Sequence, residues 1–406
     1  MHTEQPLLFD NDARSLDALA VEAVSEADLS YCKFLSANDT GATGGHQSGV
    51  LISKSAWPLM FEIPYESENI SKRRVTVRWQ DGSETTSTFT HYSSKHESRL
   101  TGFGRGFSFL KPSDTGALFV LARRDPDYYC AFILDGDDAV DAFLSALGMG
   151  PQDAGGLIDR HGIIESPEVA ERDEIESYVR SLHLTPDGDF PASIAVSEMA
   201  RKIQSHVYDH DERLISNPDL KLVEFTRIEY AIFRSMESNC YGPSVRAGFE
   251  DLESFVRLAN SLLNRRKSRA GKSFEHHLAS LFSSNGLPFE EQVRTEGNKK
   301  PDFVFPSGDA YHDFAYPVDK LVVLAAKTTC KDRWRQILTE ADRMDGRTKF
   351  LITMQQGNSP EQLHEMREDQ VQLIVPKQYI GCYPREFQSD IWTLRRFIDY
   401  VRSVVF

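Results

Sequence analysis

The repeat of apolar positions changes period about midway along the chain. In the first half it runs in twos. Val75-Thr76-Val77-Arg78-Trp79 reads as a strand ended by Asp81-Gly82, with residues 85–92 returning as its hairpin partner. Residues 117–122 and 128–134 form a second pair across Arg124-Asp125-Pro126-Asp127. Short strands joined by glycine-rich connections predict a small barrel or sandwich. In the second half, residues 194–208, 220–237, 249–264 and 272–283 carry apolar side chains at helical spacing. Residues 303–305, 321–326, 348–354 and 370–375 read as strands, and a helix over 331–344 is expected between the second and third. That order predicts an α/β domain with a mixed sheet. The stretch from Leu184 to Pro191, rich in Pro, Gly and Asp, marks a connector. The expected organisation is therefore residues 1–172, a linker over 173–189, and a second domain over 190–406.

Composition narrows the class. The 406 residues include 25 Phe, 14 Tyr and 4 Trp, enough aromatic material for well-filled cores, so wholesale disorder is excluded. Apolar runs such as residues 321–326 are far below the roughly 20 residues that span a bilayer, so no membrane partner is expected. No basic start followed by an apolar stretch follows Met1. The five cysteines are scattered without a C-x-x-C pair, and together these features point to a reducing cytoplasmic compartment. Net charge is −15, from 46 Lys and Arg against 61 Asp and Glu, which argues against nucleic-acid binding only if the charge is spread evenly. It is not. Acids crowd residues 10–28, 125–141 and 165–176, and bases cluster in 95–111, 265–272 and 327–335.

One constellation carries chemistry. Pro301-Asp302 opens a strand, and Lys327 ends the apolar run 321–326. Phosphodiester hydrolysis assisted by a hard divalent cation needs carboxylates to hold it, and a side-chain cation beside the attacking water and the phosphate. In the usual layout the second acid stands two residues before the lysine. Here that position is Ala325, so the acid must come from elsewhere. On the following helix Trp334, Ile337, Leu338 and Ala341 form the buried stripe, and Glu340 falls on an adjoining one beside the groove. On these residues alone, a solvated Asp at a strand start and a snorkelling Lys at a strand end remain an open alternative.

Longer runs are more specific. Gly297-Asn298-Lys299-Lys300-Pro301-Asp302-Phe303, Ala310-Tyr311-His312-Asp313 and the stretch from Lys327 to Leu338 resemble the EcoRII restriction endonucleases, as does Asn264–Ser273. In the first half Leu35–Gln47, Gly104-Arg105-Gly106 and Thr115-Gly116-Ala117-Leu118 are similar to the same family, in the same order. The resemblance implies a homodimeric, Mg²⁺-dependent, bacterial type IIE endonuclease that cuts duplex DNA at a CCWGG-like site. It implies a mostly-β, B3-like pseudobarrel as the first domain, which binds a further copy of the site and controls cleavage. The second domain is then an α/β core of the PD-(D/E)xK class. By motif, Asp302, Lys327 and Glu340 are the catalytic set, with Asp302 and Glu340 as metal ligands and Glu275 as a further candidate acid.

The resemblance also places base reading on Lys331, Asp332 and Arg333. Arg and Lys suit guanine O6 and N7, and Asp suits cytosine N4. Arg265, Arg266, Lys267, Arg269 and Lys272 look like phosphate contacts. Family members stack flipped central bases between an aromatic side chain and an arginine four residues before it. Tyr230 holds the aromatic position, but Thr226 stands where the arginine is expected, and Arg227 follows it. In the first domain, Lys33 with the loop from Asn38 to His46, and Lys95, His96, Glu97, Arg99 and Arg105, are the expected arms around effector DNA.

Other signals fail on spacing. Gly271-Lys272-Ser273 lacks the first glycine of a P-loop, and Gly102-x-Gly104-x-Gly106 is not a dinucleotide fingerprint. His276-His277 and His206 with His210 have no third ligand. The competing reading from another class is a sequence-specific DNA-binding regulator whose nuclease core is inactive.

Overall fold

The computed structural model describes residues 15–43, 49–62, 71–92, 97–104, 107–158, 169–185, 190–208, 213–297, 299–344 and 346–406. His46, Lys95, His96 and Arg105 lie outside them.

Helix α1 (Leu16–Glu26) leads into eight strands: β1 (Leu29–Phe34), β2 (Val50–Ile52), β3 (Ser71–Trp79), β4 (Glu84–Tyr92), β5 (Glu97–Thr101), β6 (Leu118–Asp125), β7 (Tyr128–Leu134) and β8 (Leu157–Ile158). They form one sheet in the order β2-β5-β4-β3-β7-β6-β1-β8, antiparallel except where β3 meets β7. The order does not bring β8 back to β2, so the expected pseudobarrel is open, a half-barrel. Both expected hairpins form. At the β3–β4 turn Gly82 takes φ +81°, while Asp81 accepts the Ser83 N–H at 2.9 Å. Alternation along β6 separates two cores. Phe119 and Leu121 face an interior shared with Trp79, Phe89 and Tyr129; Leu118, Val120 and Ala122 face outward under α1 and helix α2 (Asp137–Leu147).

The second half begins with a helical layer: α3 (Val169–Ser181), α4 (Ser193–Tyr208), α5 (Pro218–Ala247) and α6 (Leu252–Ser284). Ile175 and Val179 of α3 bury against Val196, Ala200 and Ile203 of α4 and Ile228 and Ile232 of α5. Most of the expected connector is thus a packed helix, because its apolar residues recur at i and i+4. Asn217 caps α5 through the Leu220 N–H with Pro218 in the first turn, and Asp251 caps α6 through the Ser254 N–H. The two helices expected over 249–264 and 272–283 are one. The residues between them are mostly good helix formers, and the single Gly271 costs only ~1 kcal/mol relative to Ala.

Strands β9 (Glu290–Glu291), β10 (Phe303–Phe305), β11 (Val322–Lys327), β12 (Lys349–Thr353) and β13 (Val371–Ile374) make a mixed sheet, antiparallel from β9 to β11 and parallel from β11 to β13. Phe282 of α6 packs among Phe289, Phe303, Phe305 and Phe397, which seats α6 on the sheet. The helix expected over 331–344 is instead two short 3₁₀ segments, Arg333–Thr339 and Asp342–Met344. Its carbonyls are diverted: Leu338 C=O accepts Lys349 Nζ, and Glu340 C=O accepts the Thr295 hydroxyl at 2.8 Å. The apolar stripe also divides. Trp334 and Ile337 enter the main core, whereas Ala341 and Met344 join Val304, Tyr311 and Val323.

Candidate active site

Asp302 stands at the entry to β10 and Lys327 ends β11, its antiparallel neighbour. Asp302 is buried, and its Oδ2 accepts both the Ala326 N–H at 2.7 Å and Lys327 Nζ at 3.2 Å. Burial pulls the Lys327 ammonium down, but Asp302 and then Glu340 outweigh it, so Lys327 holds its proton more firmly than an ordinary lysine. Glu340 follows the first 3₁₀ segment. Burial pushes its carboxyl up, against the pull of Lys327, while the charge of Asp302 pushes the same way as burial. The fields of all three groups overlap, so the strand ends and the 3₁₀ segment bring one lysine and two acids to one place. Glu275 of α6 joins from the other side. Its carboxyl is pushed up to about 7, first by burial and then by Asp302.

Gln292, which sequence reasoning did not single out, links these acids. Its amide donates to Asp302 Oδ1 at 3.0 Å and to Glu275 Oε2 at 3.1 Å. Among the described residues, no three His, Cys, Asp or Glu side chains form a ready-made metal cage. The donor set nevertheless suits Mg²⁺, which keeps several waters and takes only one or two carboxylates besides substrate phosphate oxygens.

The first domain covers the segment beside this site. Asp137, in the first turn of α2, accepts the Lys331 N–H on Oδ1 at 2.7 Å, and the Asp332 and Arg333 N–H groups on Oδ2 at 2.9 and 3.0 Å. Its own N–H donates to Asp332 Oδ1 at 3.1 Å. Burial raises the Asp137 carboxyl, but its bonds to Asp332 and these backbone groups more than offset that and hold it below the usual range. Asp332 opposite is raised, by burial and by Asp137. Lys331 Nζ pairs with Asp135, and Arg333 pairs with Asp141 at 2.5 Å. Thr329 donates to Asp141 at 2.7 Å. The acid-rich and base-rich runs of the sequence therefore meet each other across the domain boundary. Nearby, Gln355 donates to Gly116 C=O at 2.7 Å, and a Cβ on Gly116 would lie 2.0 Å from the Gly357 carbonyl oxygen.

Several expected contacts are engaged within the protein. Arg266 pairs with Glu237 and donates to the Ser145 and Ala146 carbonyls at the end of α2. Arg265 bonds the Tyr241 hydroxyl and stacks on Phe190. Arg269 pairs with Glu229 over the Phe233 ring. Lys267 and Lys272 remain exposed. Tyr230 lies in a cavity of about 20 Å³ with Met149, Phe233 and Arg266, against the first-domain segment Gly148–Gly150. Thr226 donates to the Leu222 carbonyl, and Arg227 points away to Glu171. The arginine on the Tyr230 side is Arg234, one turn later, held by Asp153 and the Gly148 carbonyl.

In the half-barrel, Lys33 is paired with Asp39 at 2.7 Å and donates to Leu51 C=O, so its ammonium braces β1 against the following loop. Arg99 is buried on the Gly49 carbonyl beside Glu97, and Asn38 is exposed, accepting from Thr43.

Comparison with known proteins agrees with the order of these parts. The family models described as "Restriction endonuclease EcoRII, N-terminal" and "EcoRII C terminal" match residues 23–145 and 233–398. The type II restriction enzyme EcoRII of Escherichia coli is 36% identical over 405 residues, covering 93% of this chain and 95% of that protein. The type II restriction enzyme SsoII of Shigella sonnei is 29% identical over 126 residues, 29% of this chain and 40% of that one. Among solved structures, metal-depleted Ecl18kI with uncleaved, modified DNA matches 57% of this chain and 84% of its own, at 18% identity and a TM-score of 0.44. The B3 domain of UbaLAI with cognate DNA matches 29% and 79%, at 18% identity and a TM-score of 0.20.

Proposed function

From the premise that this chain belongs to the EcoRII family of type II restriction endonucleases, we propose that it is a type IIE enzyme. It hydrolyses phosphodiester bonds of duplex DNA at a CCWGG-like site with Mg²⁺, and its first domain governs access. It acts in the bacterial cytoplasm as a homodimer that binds two or more copies of the site. The meeting of Asp302, Lys327 and Glu340 is the observation that carries this reading.

Asp302 and Glu340 would hold the cation, with Glu275 as a further acid. Bound there, Mg²⁺ supplies a Lewis acid for the phosphate and lowers the pKa of the attacking water. Asp302 is aimed by the Ala326 N–H, which fixes its orientation before substrate arrives. Lys327, kept protonated by its two acids, places positive charge where the pentavalent phosphate gathers negative charge.

Regulation follows from α2. The groups assigned to base reading, Lys331, Asp332 and Arg333, are occupied by Asp135, Asp137 and Asp141 in this closed arrangement. Arg266 adds a tie to the end of the same helix. DNA gains these groups only when α2 leaves, and effector DNA on the half-barrel drives that only by binding the open arrangement more tightly. Pairing of two chains is supported by Val245, Leu252, Phe255 and Val256, exposed where α5 gives way to α6.

The test is cleavage of a one-site duplex with and without a second, uncleavable duplex carrying the site. Acceleration by the second duplex supports the reading. Equal rates with efficient cutting would make the first domain a simple affinity aid.

A further inference from the structure

Gln292 lies just past β9, in the left-handed region at φ +53°, a conformation that strains any residue with a Cβ. Its N–H donates to the Asp302 carbonyl at 3.1 Å, one step beyond the β9–β10 ladder. Its side chain returns to Asp302 as well, and the amide reaches Asp302 Oδ1 at 3.0 Å and Glu275 Oε2 at 3.1 Å. The amide turns its NH₂ toward both carboxyl groups, so its two hydrogens are both used. The other Asp302 oxygen is already taken by Ala326 and Lys327. Without such a link, the buried Asp302 and the half-buried Glu275 repel each other and drift apart.

We propose that Gln292 is the positioning residue of the divalent-cation site: its amide clamps Glu275 to Asp302, so that both acids stand together before the cation arrives. This rests on the metal-dependent nuclease reading above. Gln292 touches neither substrate nor reacting atoms and acts through the two carboxylates. The strained backbone is what turns the amide back toward Asp302, and the orientation of a ligand by its outer partner is a general determinant of metal affinity.

The experiment measures Mn²⁺ binding to the full-length protein, from loss of the free-ion paramagnetic resonance signal, alongside thermal melting. Gln292→Met keeps the length of the side chain and deletes both donors. Gln292→Gly deletes them and relieves the backbone. The expected result is a melting temperature near that of the parent for at least one variant, with Mn²⁺ bound about tenfold more weakly. In a Glu275→Ala background the same change should add little, because the clamp has lost one of its two partners. Unchanged Mn²⁺ affinity in a folded variant overturns the proposal. So does a full loss that persists without Glu275, and so does unfolding of both variants, which would make Gln292 a residue of the fold. If the parent protein itself binds no Mn²⁺, the nuclease reading fails instead.

Discussion

Replacing Asp137 by Ala removes the central acceptor of the closed arrangement. Asp137 is 1% exposed, and its carboxylate takes three backbone N–H groups at 2.7 to 3.0 Å. Hydrogen bonds to a charged partner contribute ~1.5–3 kcal/mol each. They do not simply add here. The N–H groups regain water on opening, and the like charge of Asp332 faces Asp137 across the contact. Taking about half of the summed value leaves ~3 kcal/mol favouring closure. At about 1.4 kcal/mol per tenfold, Asp137→Ala moves the open–closed ratio by ~10² toward the open form. The assay is the initial rate on a linear duplex carrying one site, with and without effector duplex. The variant should cut the lone site one to two orders of magnitude faster than the parent and respond little to effector. Asp137→Asn should fall between, since its amide oxygen still accepts but carries no charge. A variant that keeps both the slow parental rate and the full effector response would refute the claim that Asp137 holds the domains together.

Other consequences are as specific. Arg333→Ala should cost about 1–3 kcal/mol at one base pair and relax specificity there, whereas Lys267→Ala and Lys272→Ala, on exposed turns of α6, should weaken all duplexes alike and flatten the salt dependence of binding; measured affinities for matched and mismatched duplexes separate the two. Because the Glu275 carboxyl is raised to about 7, it carries a proton on the acid side and must lose it to hold a cation. The Mg²⁺ concentration giving half-maximal cleavage should therefore climb as pH falls from about 8 to about 6, and Glu275→Gln should remove that dependence. A second-domain fragment should cut single-site DNA faster than the full chain only if it keeps Val169–Ser181, since a shorter one exposes Val196, Ala200 and Ile228; melting and cleavage of the two fragments check this.

The period of the apolar residues made the two halves legible, because a strand such as β3 buries Val75, Val77 and Trp79 in alternation and a helix such as α4 buries one side, Val196, Ala200 and Ile203. The order of Asp302, Lys327 and Glu340 was legible too, since strand ends and the following segment set their approach locally. What the sequence concealed depends on distant partners. Residues 331–344 have a helical apolar spacing, yet carbonyl acceptors for Thr295 and Lys349 and a divided core break them into 3₁₀ segments. Arg266 reads as a phosphate contact because nothing local announces Glu237, and Lys33 reads as part of a DNA arm although Asp39, a few residues on, takes its ammonium. The acid-rich run 125–141 was visible, but that it meets Lys331–Arg333 is a fact of domain packing that no periodicity encodes. Gln292 gave no signal at all. The proposed clamp depends on a left-handed φ and on two carboxylates brought in from separate elements, Asp302 at the entry to β10 and Glu275 on α6.

The central claim is tested most directly by digesting a sequenced plasmid with several CCWGG sites, in Mg²⁺ and in chelator, and mapping every end. The full chain should give discrete fragments with ends at CCWGG-like sites in Mg²⁺ alone. Lys327→Ala, Asp302→Ala and Glu340→Ala should each bind the same plasmid, melt near the parent temperature and leave it uncut. Binding by the parent chain without cleavage, or cleavage that survives loss of Lys327, would contradict the account.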